Sequence, residues 1–171
     1  MINKSISKAA RYVHTAAALC LAVFALYTAT TGVMVDILQR GLVLLFVTIM
    51  VFTKQLGRDE LAWYWKLPVF ILMVGSSASL IYQIVNYQKL AVSMGAVTMT
   101  ELVLGAMLII ALWAATKLTV GWPIVIISGV FALYAHFGNY LPGLISHRGY
   151  SVSRIISHLC VGTNGIFGTP L

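Results

Sequence analysis

Four histidines carry the most specific chemistry available to this chain, because two histidines on neighbouring helices can ligate a haem iron. They are His14, His136, His147 and His158. His14 lies near the start of the first apolar stretch and His136 near the end of the last one, so most of a membrane thickness separates them. His147 and His158 follow without the spacing of a haem or zinc ligand pair. We therefore predict histidines that make ordinary hydrogen bonds, with no cofactor-binding or metal-binding residue.

The cysteines and acids form no recognisable catalytic site. Cys20 and Cys160 lack CxxC spacing, which predicts neither a disulfide nor a redox motif. The acids lie in loops and at the ends of apolar stretches, without a paired carboxylate or a GxSxG turn. They are Asp36, Asp59, Glu60 and Glu101. No catalytic residue is predicted, and we do not expect an enzyme.

Glu101 is the acid with two open interpretations. It follows Thr98 and Thr100, either of which can cap a helix, and it would lie near the positive end of that helix. A helix-start role is favoured over an ion-coupling site, because a coupling site is expected near the middle of a membrane.

The composition indicates a membrane protein. Hydrophobic residues make up 60% of the 171 residues and charged residues 9%, against about 25% charged in an ordinary soluble domain. The net charge of +7 could suggest nucleic acid. However, the lysines and arginines are scattered through short loops and do not line one helix face. Membrane topology explains the charge better, and no nucleic-acid partner is predicted.

Five apolar stretches have about the length needed to cross a bilayer. They cover residues 12–30, 33–52, 67–87, 100–118 and 121–137. The predicted fold class is all-α, an integral membrane helical bundle with four to five transmembrane helices and a short amphipathic interfacial helix. The fifth stretch is short, so whether it crosses fully is left open. The first is expected to be an uncleaved signal anchor, because its apolar run exceeds a usual signal core.

None of the five stretches carries a charged residue near its middle. A solitary pump or carrier usually keeps a buried acid, base or group of polar oxygens there to hold the moving charge. We therefore expect a scaffold or partner subunit. Gly75, Ser76 and Ser79 lie in a small-residue patch in the third stretch, a candidate helix-packing face. The alternative is a set of small residues that face lipid.

Charge and tryptophan predict the orientation. With a cytoplasmic amino terminus, seven cations lie inside and four outside, as the positive-inside rule favours. The inner set is Lys4, Lys8, Arg11, Lys54, Arg58, Lys66 and Lys117, and the outer set is Arg40, Lys89, Arg148 and Arg154. Tryptophan prefers the interface, and all four tryptophans fall at the predicted inner boundary as anchors. They are Trp63, Trp65, Trp113 and Trp122.

The C-terminal tail has helical periodicity from Ser151, a plausible cap. Val152, Ile155, Ile156 and Leu159 recur on one face. This amphipathic helix is expected at the outer membrane surface or against a partner, or else packed on the bundle as an ordinary surface helix. The run GTNGIFGTPL then ends abruptly, which suggests a truncated frame or a subunit that another chain continues.

Four stretches together carry a family resemblance. They are RYVHTAAALCLAVFALYTATTG, ILQRGLVLLFVTIMVF, YWKLPVFILMVGSSASLIYQIVNY, and YLPGLISHRGYSVSRIISHL followed by GIFGTPL. In this order they resemble the amino-terminal part of fused TRAP transporter permeases, the tripartite ATP-independent periplasmic transporters. The similarity is greatest to the type that works with TAXI substrate-binding proteins. It covers nearly the whole chain and is strongest over residues 140–171.

The resemblance implies a function and a domain organisation. Residues 1–118 would be a four-span module like the small permease subunit. Residues 119–171 would be a connecting span, an outer amphipathic helix and the truncated start of the large permease module. The expected partners are that large module and a periplasmic TAXI-type binding protein, in the bacterial inner membrane, for uptake of an organic acid or amino acid.

The family's substrate and coupling sodium ion or proton bind in the large module, so no such ligand is carried over to this chain. The alternative that the histidines leave open is a membrane-anchored, cytochrome b-like redox subunit.

Overall fold

A computed structural model describes residues 2–31, 36–58, 61–92, 98–140, 142, 146–161 and 165–166. Within them the helices are α1 (Ile2–Thr31), α2 (Asp36–Leu56), α3 (Trp63–Val85), α4 (Tyr87–Val92), α5 (Met99–Thr119), α6 (Trp122–Phe137) and α7 (Val152–Ile156). A 3-10 turn, Gly138–Tyr140, follows α6, and a π-helical turn, Ser157–Val161, continues α7. The described part of the chain has no strand. The predicted all-α class is confirmed.

Five of these helices are long and apolar enough to cross a membrane. They are α1, α2, α3, α5 and α6. The 3-10 turn lengthens the last candidate span to 19 residues, Trp122–Tyr140, so the fifth stretch is less short than the sequence suggested. The protein is therefore a multi-pass membrane protein.

The helices of the first compact unit, Met1–Tyr87, run antiparallel. The Ser7 hydroxyl donates to the Gly57 carbonyl at 3.0 Å, and His14 Nδ1 lies 3.0 Å from the Met50 carbonyl. Residues later in α1 therefore pair with residues earlier in the stretch from α2 to Gly57. The short connection after α2 returns the chain as α3, which packs on α2. The start of α1, the end of α2 and the start of α3 therefore share one end of this unit.

The core of the first unit is narrow. Phe52 and Leu80 are fully buried, together with the small polar residues Thr48, Ser76 and Ser79. In the last four turns of α1 no residue is buried, and most of the side chains are apolar. In lipid, apolar exposure costs little and helices associate through close packing of small residues, so this distribution suits a membrane-embedded helix bundle.

The start of α3 differs from the prediction. The helix begins at Trp63, one turn before the predicted residue 67, because the aromatic residues there continue the helical run. Pro68 is consequently the sixth helical residue and not part of the first turn. Its ring leaves the Tyr64 carbonyl without an intrahelical donor. After Val85 the chain forms the short helix α4 where a polar turn was expected.

The second compact unit, Gln88–Leu171, contains α5, α6 and the tail. A tight turn at Val120 and Gly121 joins α5 to α6. The tail helix, Val152–Val161, packs on α5 and contacts α6. Of the two alternatives for the tail, the structure therefore shows the helix packed on its own bundle.

The two compact units meet between Tyr87 and Gln88, and α5 lies in the second unit, where it contacts α6 and the tail helix. The module boundary between residues 118 and 119 that the resemblance implies stays a prediction.

Candidate functional site

The predicted packing patch lies on the buried face of α3. Gly75 is buried, and Ser76 and Ser79 have no exposed surface. Ser77 is half-buried and Ala78 exposed, as expected for neighbours on a helix whose buried face is narrow. The absence of large side chains at the three buried positions allows another backbone to approach closely.

The buried polar groups of the spans are bonded locally. The Thr48 hydroxyl donates to the Leu44 carbonyl at 2.8 Å, and the Ser76 hydroxyl to the Met73 carbonyl at 3.1 Å. The Gln83 amide donates to the Ser79 hydroxyl at 3.3 Å. Bonds within one helix satisfy these hydroxyls without drawing several oxygens to one point.

His14 joins two helices of the first unit. Its Nδ1 lies 3.0 Å from the Met50 carbonyl and 3.5 Å from the Thr53 hydroxyl. A carbonyl only accepts, so the Nδ1 hydrogen is directed to Met50. This is the ordinary hydrogen-bonding role that the sequence favoured.

Glu101 forms a capping box at the start of α5. The Thr98 amide donates to Glu101 Oε2 at 2.8 Å, and the Glu101 amide donates to the Thr98 hydroxyl at 3.5 Å. Thr98, and not Thr100, is the cap. Although Glu101 is buried, its carboxylate has a donor and lies at the positive end of the helix, which stabilises its charge.

The four tryptophans predicted as anchors have exposed rings. Trp63 and Trp65 lie in the first turn of α3 at 73% and 60% exposure, Trp122 opens α6 at 57%, and Trp113 lies in α5 at 36%. The Lys117 ammonium lies 4.3 Å from the centre of the Trp122 ring. A cation over an indole at the end of a span is the arrangement expected where helix meets headgroups.

Residues 147–150, named the return segment, fold back on the carboxyl end of α6. The His147 amide donates to the Gly138 carbonyl at 3.0 Å, and the Tyr150 amide to the Ala135 carbonyl at 2.9 Å. His136 Nδ1 lies 2.8 Å from the Tyr150 carbonyl. The last carbonyls of a helix lack intrahelical donors, so the return segment serves as the cap of α6.

His147 is held at both ring nitrogens. Its Nδ1 accepts from the Gly149 amide at 3.0 Å, which requires the ring hydrogen on Nε2. That hydrogen then points to the Tyr134 carbonyl, 3.0 Å away. The tail thus brings His136 and His147 to the same helix end, but metal ligation by His147 would require breaking at least one of these bonds. The described residues hold no group of three metal-ligating side chains.

The tail helix meets α5 at Gly105. The Cys160 thiol donates to the Gly105 carbonyl at 3.4 Å, and Cys160 is buried. A methyl group at Gly105 would lie 2.8 Å from Ile156 Cγ2 and 3.2 Å from Cys160 Cβ. Burial raises the pKa of the Cys160 thiol from 9.0 to about 12. This thiol is therefore unreactive at neutral pH.

Three features were not found from the sequence. They are the return segment, the contact of Gly105 with the tail helix, and the burial of Lys66 in the first turn of α3. The glycine within HRGY was the available signal for the return segment. The predicted roles of Asp59 and Glu60 lie outside the described residues, as do the side chains of Asp36 and Lys4 and most of GTNGIFGTPL.

No protein-family model matches this sequence, and no curated protein or solved structure matches it either. The resemblance to TRAP permeases therefore rests on the four quoted stretches alone.

Proposed function

We propose that this chain is a framework component of a TRAP-type secondary transporter for organic acids or amino acids. One observation carries the proposal. In the five candidate spans, every lysine, arginine and carboxylate lies within two turns of an end of the span, so the middle of each span is free of charge. A transport path needs a group at mid-membrane that holds and releases its charge. The four quoted stretches favour the TRAP family, and the distribution of charge favours a framework role within it.

The proposed partners supply the charged groups that the described spans of this chain lack at mid-membrane. A large permease chain provides the ligands for substrate and for the coupling sodium ion or proton. A periplasmic binding protein of TAXI type delivers the substrate. The apolar surfaces of α1 and α6 are exposed along most of their length, which leaves area for lipid and for the large permease.

The proposed location is the bacterial inner membrane, with a cytoplasmic amino terminus. In the first unit, antiparallel packing places Lys8, Arg11, Lys54, Arg58 and Lys66 at one end. The positive-inside rule assigns that end to the cytoplasm.

Reconstitution tests the proposal. The chain is expected to copurify with a coexpressed large permease chain of the TRAP type, and liposomes holding both are expected to accumulate substrate when the binding protein is added. Liposomes with this chain alone, and liposomes with the large permease alone, are the two controls and should both be inactive. Uptake by the isolated chain would refute a framework role.

The same purified sample tests the redox alternative. A cytochrome b-like subunit binds haem through histidines and shows a Soret absorption band. His147 already uses both ring nitrogens, so it could bind iron only by losing one of these bonds. We therefore expect a colourless protein, and a Soret band that scales with protein concentration would favour the alternative.

A further inference from the structure

Lys66 is a buried cation in the first turn of α3. It is 4% exposed, and its ammonium has no hydrogen-bond partner among the described residues. Moving an ammonium out of water without a partner costs several kcal/mol, so buried lysines are normally paired with an anion. The described residues leave that anion unassigned.

The surroundings of Lys66 add positive charge. No side chain caps the start of α3, where the Trp65 amide donates to the Ala62 carbonyl at 3.0 Å. The amides of Trp63 and Tyr64 precede this bond, at the positive end of the helix dipole. Lys66 also belongs to the basic end of the first unit, which is defined by Lys8, Arg11, Lys54, Arg58 and Lys66. Both features favour a negatively charged group at this place.

The chain itself supplies few anions here. Asp59 and Glu60 are the two acids of the loop between α2 and α3, and they lie outside the described residues. Lys8, Arg11, Lys54 and Arg58 are exposed to water, whereas Lys66 is buried. Lys66 is therefore the cation of the basic end that most requires a bound anion.

The neighbouring side chains place Lys66 at headgroup depth. Trp63, Tyr64 and Trp65 precede it and are all more than half exposed, the position that aromatic rings prefer at a membrane interface. The four-carbon stem of lysine allows its ammonium to move toward headgroups while the stem stays in an apolar environment. Basic sites between helices at this depth bind lipid phosphates.

We propose that the basic end of the first unit binds a phosphate group, with Lys66 as its buried donor. The shared chemistry is a phosphate oxygen that accepts from Nζ and from the first amides of α3. An anionic phospholipid headgroup is one source, and soluble phosphate is the other. The proposal does not depend on the transport function, because it concerns only this chain and its membrane.

The experiment uses the full chain in detergent, stripped of lipid by exchange. Phosphatidylglycerol, phosphatidylcholine and inorganic phosphate are added separately, while native mass spectrometry records bound lipid and the thermal unfolding midpoint records stabilisation. Phosphatidylglycerol is expected to bind and to raise the midpoint more than phosphatidylcholine does. An equal Lys66-dependent effect of inorganic phosphate would support the site and identify soluble phosphate as its source.

Substitutions distinguish a specific site at Lys66 from attraction by the overall positive charge of the chain. Lys66→Met should weaken phosphatidylglycerol binding about tenfold, the loss expected for one charge-assisted hydrogen bond. It should also raise the midpoint of the lipid-free protein, because the unpartnered charge is gone. Lys66→Arg keeps the charge and should keep the lipid response. Lys89→Met removes an exposed cation elsewhere and should behave as the unaltered chain.

Two results would overturn the proposal. One is equal stabilisation of Lys66→Met and the unaltered chain by phosphatidylglycerol. The other is a chain that ignores all three additives. If that chain also loses stability when Asp59→Asn and Glu60→Gln are combined, a loop carboxylate is the partner of Lys66.

Discussion

Gly138 is the single residue on which the return segment most depends. A methyl group added there would overlap the His147 imidazole. We predict that Gly138→Ala displaces His147 and breaks its bonds to the Gly138 and Tyr134 carbonyls. Loss of two such bonds at a helix end should lower the free energy of unfolding by about 1–3 kcal/mol. Thermal unfolding in detergent measures the change.

Gly129→Ala is the matched control for this substitution. Gly129 lies in α6, the helix that Gly138 follows, and a methyl group there meets nothing within 4 Å. Alanine is a better helix former than glycine by about 0.5–1 kcal/mol, so this variant should be neutral or slightly stabilised. Equal destabilisation of both variants would mean that the return segment contributes nothing to stability.

How far single residues could be predicted depended on the range of their contacts. The pattern Thr98-x-x-Glu101 is local, so the helix-start role of Glu101 followed from four consecutive residues. The bonds of His147 join it to residues of α6 through a reversal of the chain, and hydropathy gives no signal for such a reversal. Burial of Lys66 was equally hidden, because a lysine between an apolar span and a loop is normally exposed.

At the scale of elements, the contact between the tail helix and α5 depends on the small size of Gly105. We predict that Gly105→Leu displaces the tail helix, because the added side chain would occupy the space of Ile156 and Cys160. Overpacking of this kind costs about 1–3 kcal/mol. Val103→Leu is the control, since it enlarges an exposed side chain on the same helix.

Alkylation of Cys160 reports the displacement, measured by mass spectrometry in a Cys20→Ser background. Only the thiolate reacts, and a shift of the pKa from 9.0 to about 12 makes thiolate about a thousandfold scarcer at pH 8. The folded protein should therefore resist alkylation at pH 8 and react faster as the pH rises toward 12. Gly105→Leu should react at pH 8. Unchanged protection in that variant would contradict the proposed packing.

The existence of the long helices was predictable, whereas their ends were not. Length and apolar composition indicate a span because the bilayer fixes both. The start of α3 depended instead on whether Trp63, Tyr64 and Trp65 join the helix, and their preference for the interface is compatible with either outcome. Pro68 was a misleading signal, because proline is common in a first turn but is tolerated deeper in a membrane helix.

For the whole molecule, hydropathy indicates the spans but not which of them pack together. In the structure α5 lies in the second unit, because Gly105 admits the tail helix and a tight turn joins α5 to α6. The module boundary implied by the family resemblance stays a prediction. Pairing between spans is decided by small residues at contact points, and hydropathy does not record those contacts.

The orientation of the whole chain can be tested with three single cysteines in a background that lacks Cys20 and Cys160. All three positions are exposed: Ala9 lies near the start of α1, Thr119 ends α5, and Ser146 directly precedes the return segment. If the basic end faces the cytoplasm, a membrane-impermeant maleimide added to spheroplasts should label Ser146→Cys alone. Ala9→Cys and Thr119→Cys should react only after permeabilisation.

Because α5 and α6 run antiparallel, Thr119 and Ser146 must lie on opposite sides if both helices cross. Labelling of both from outside would therefore exclude the five-span topology. Labelling of Ala9 and Thr119 without Ser146 would instead invert the chain and show that the positive-inside count does not set its orientation.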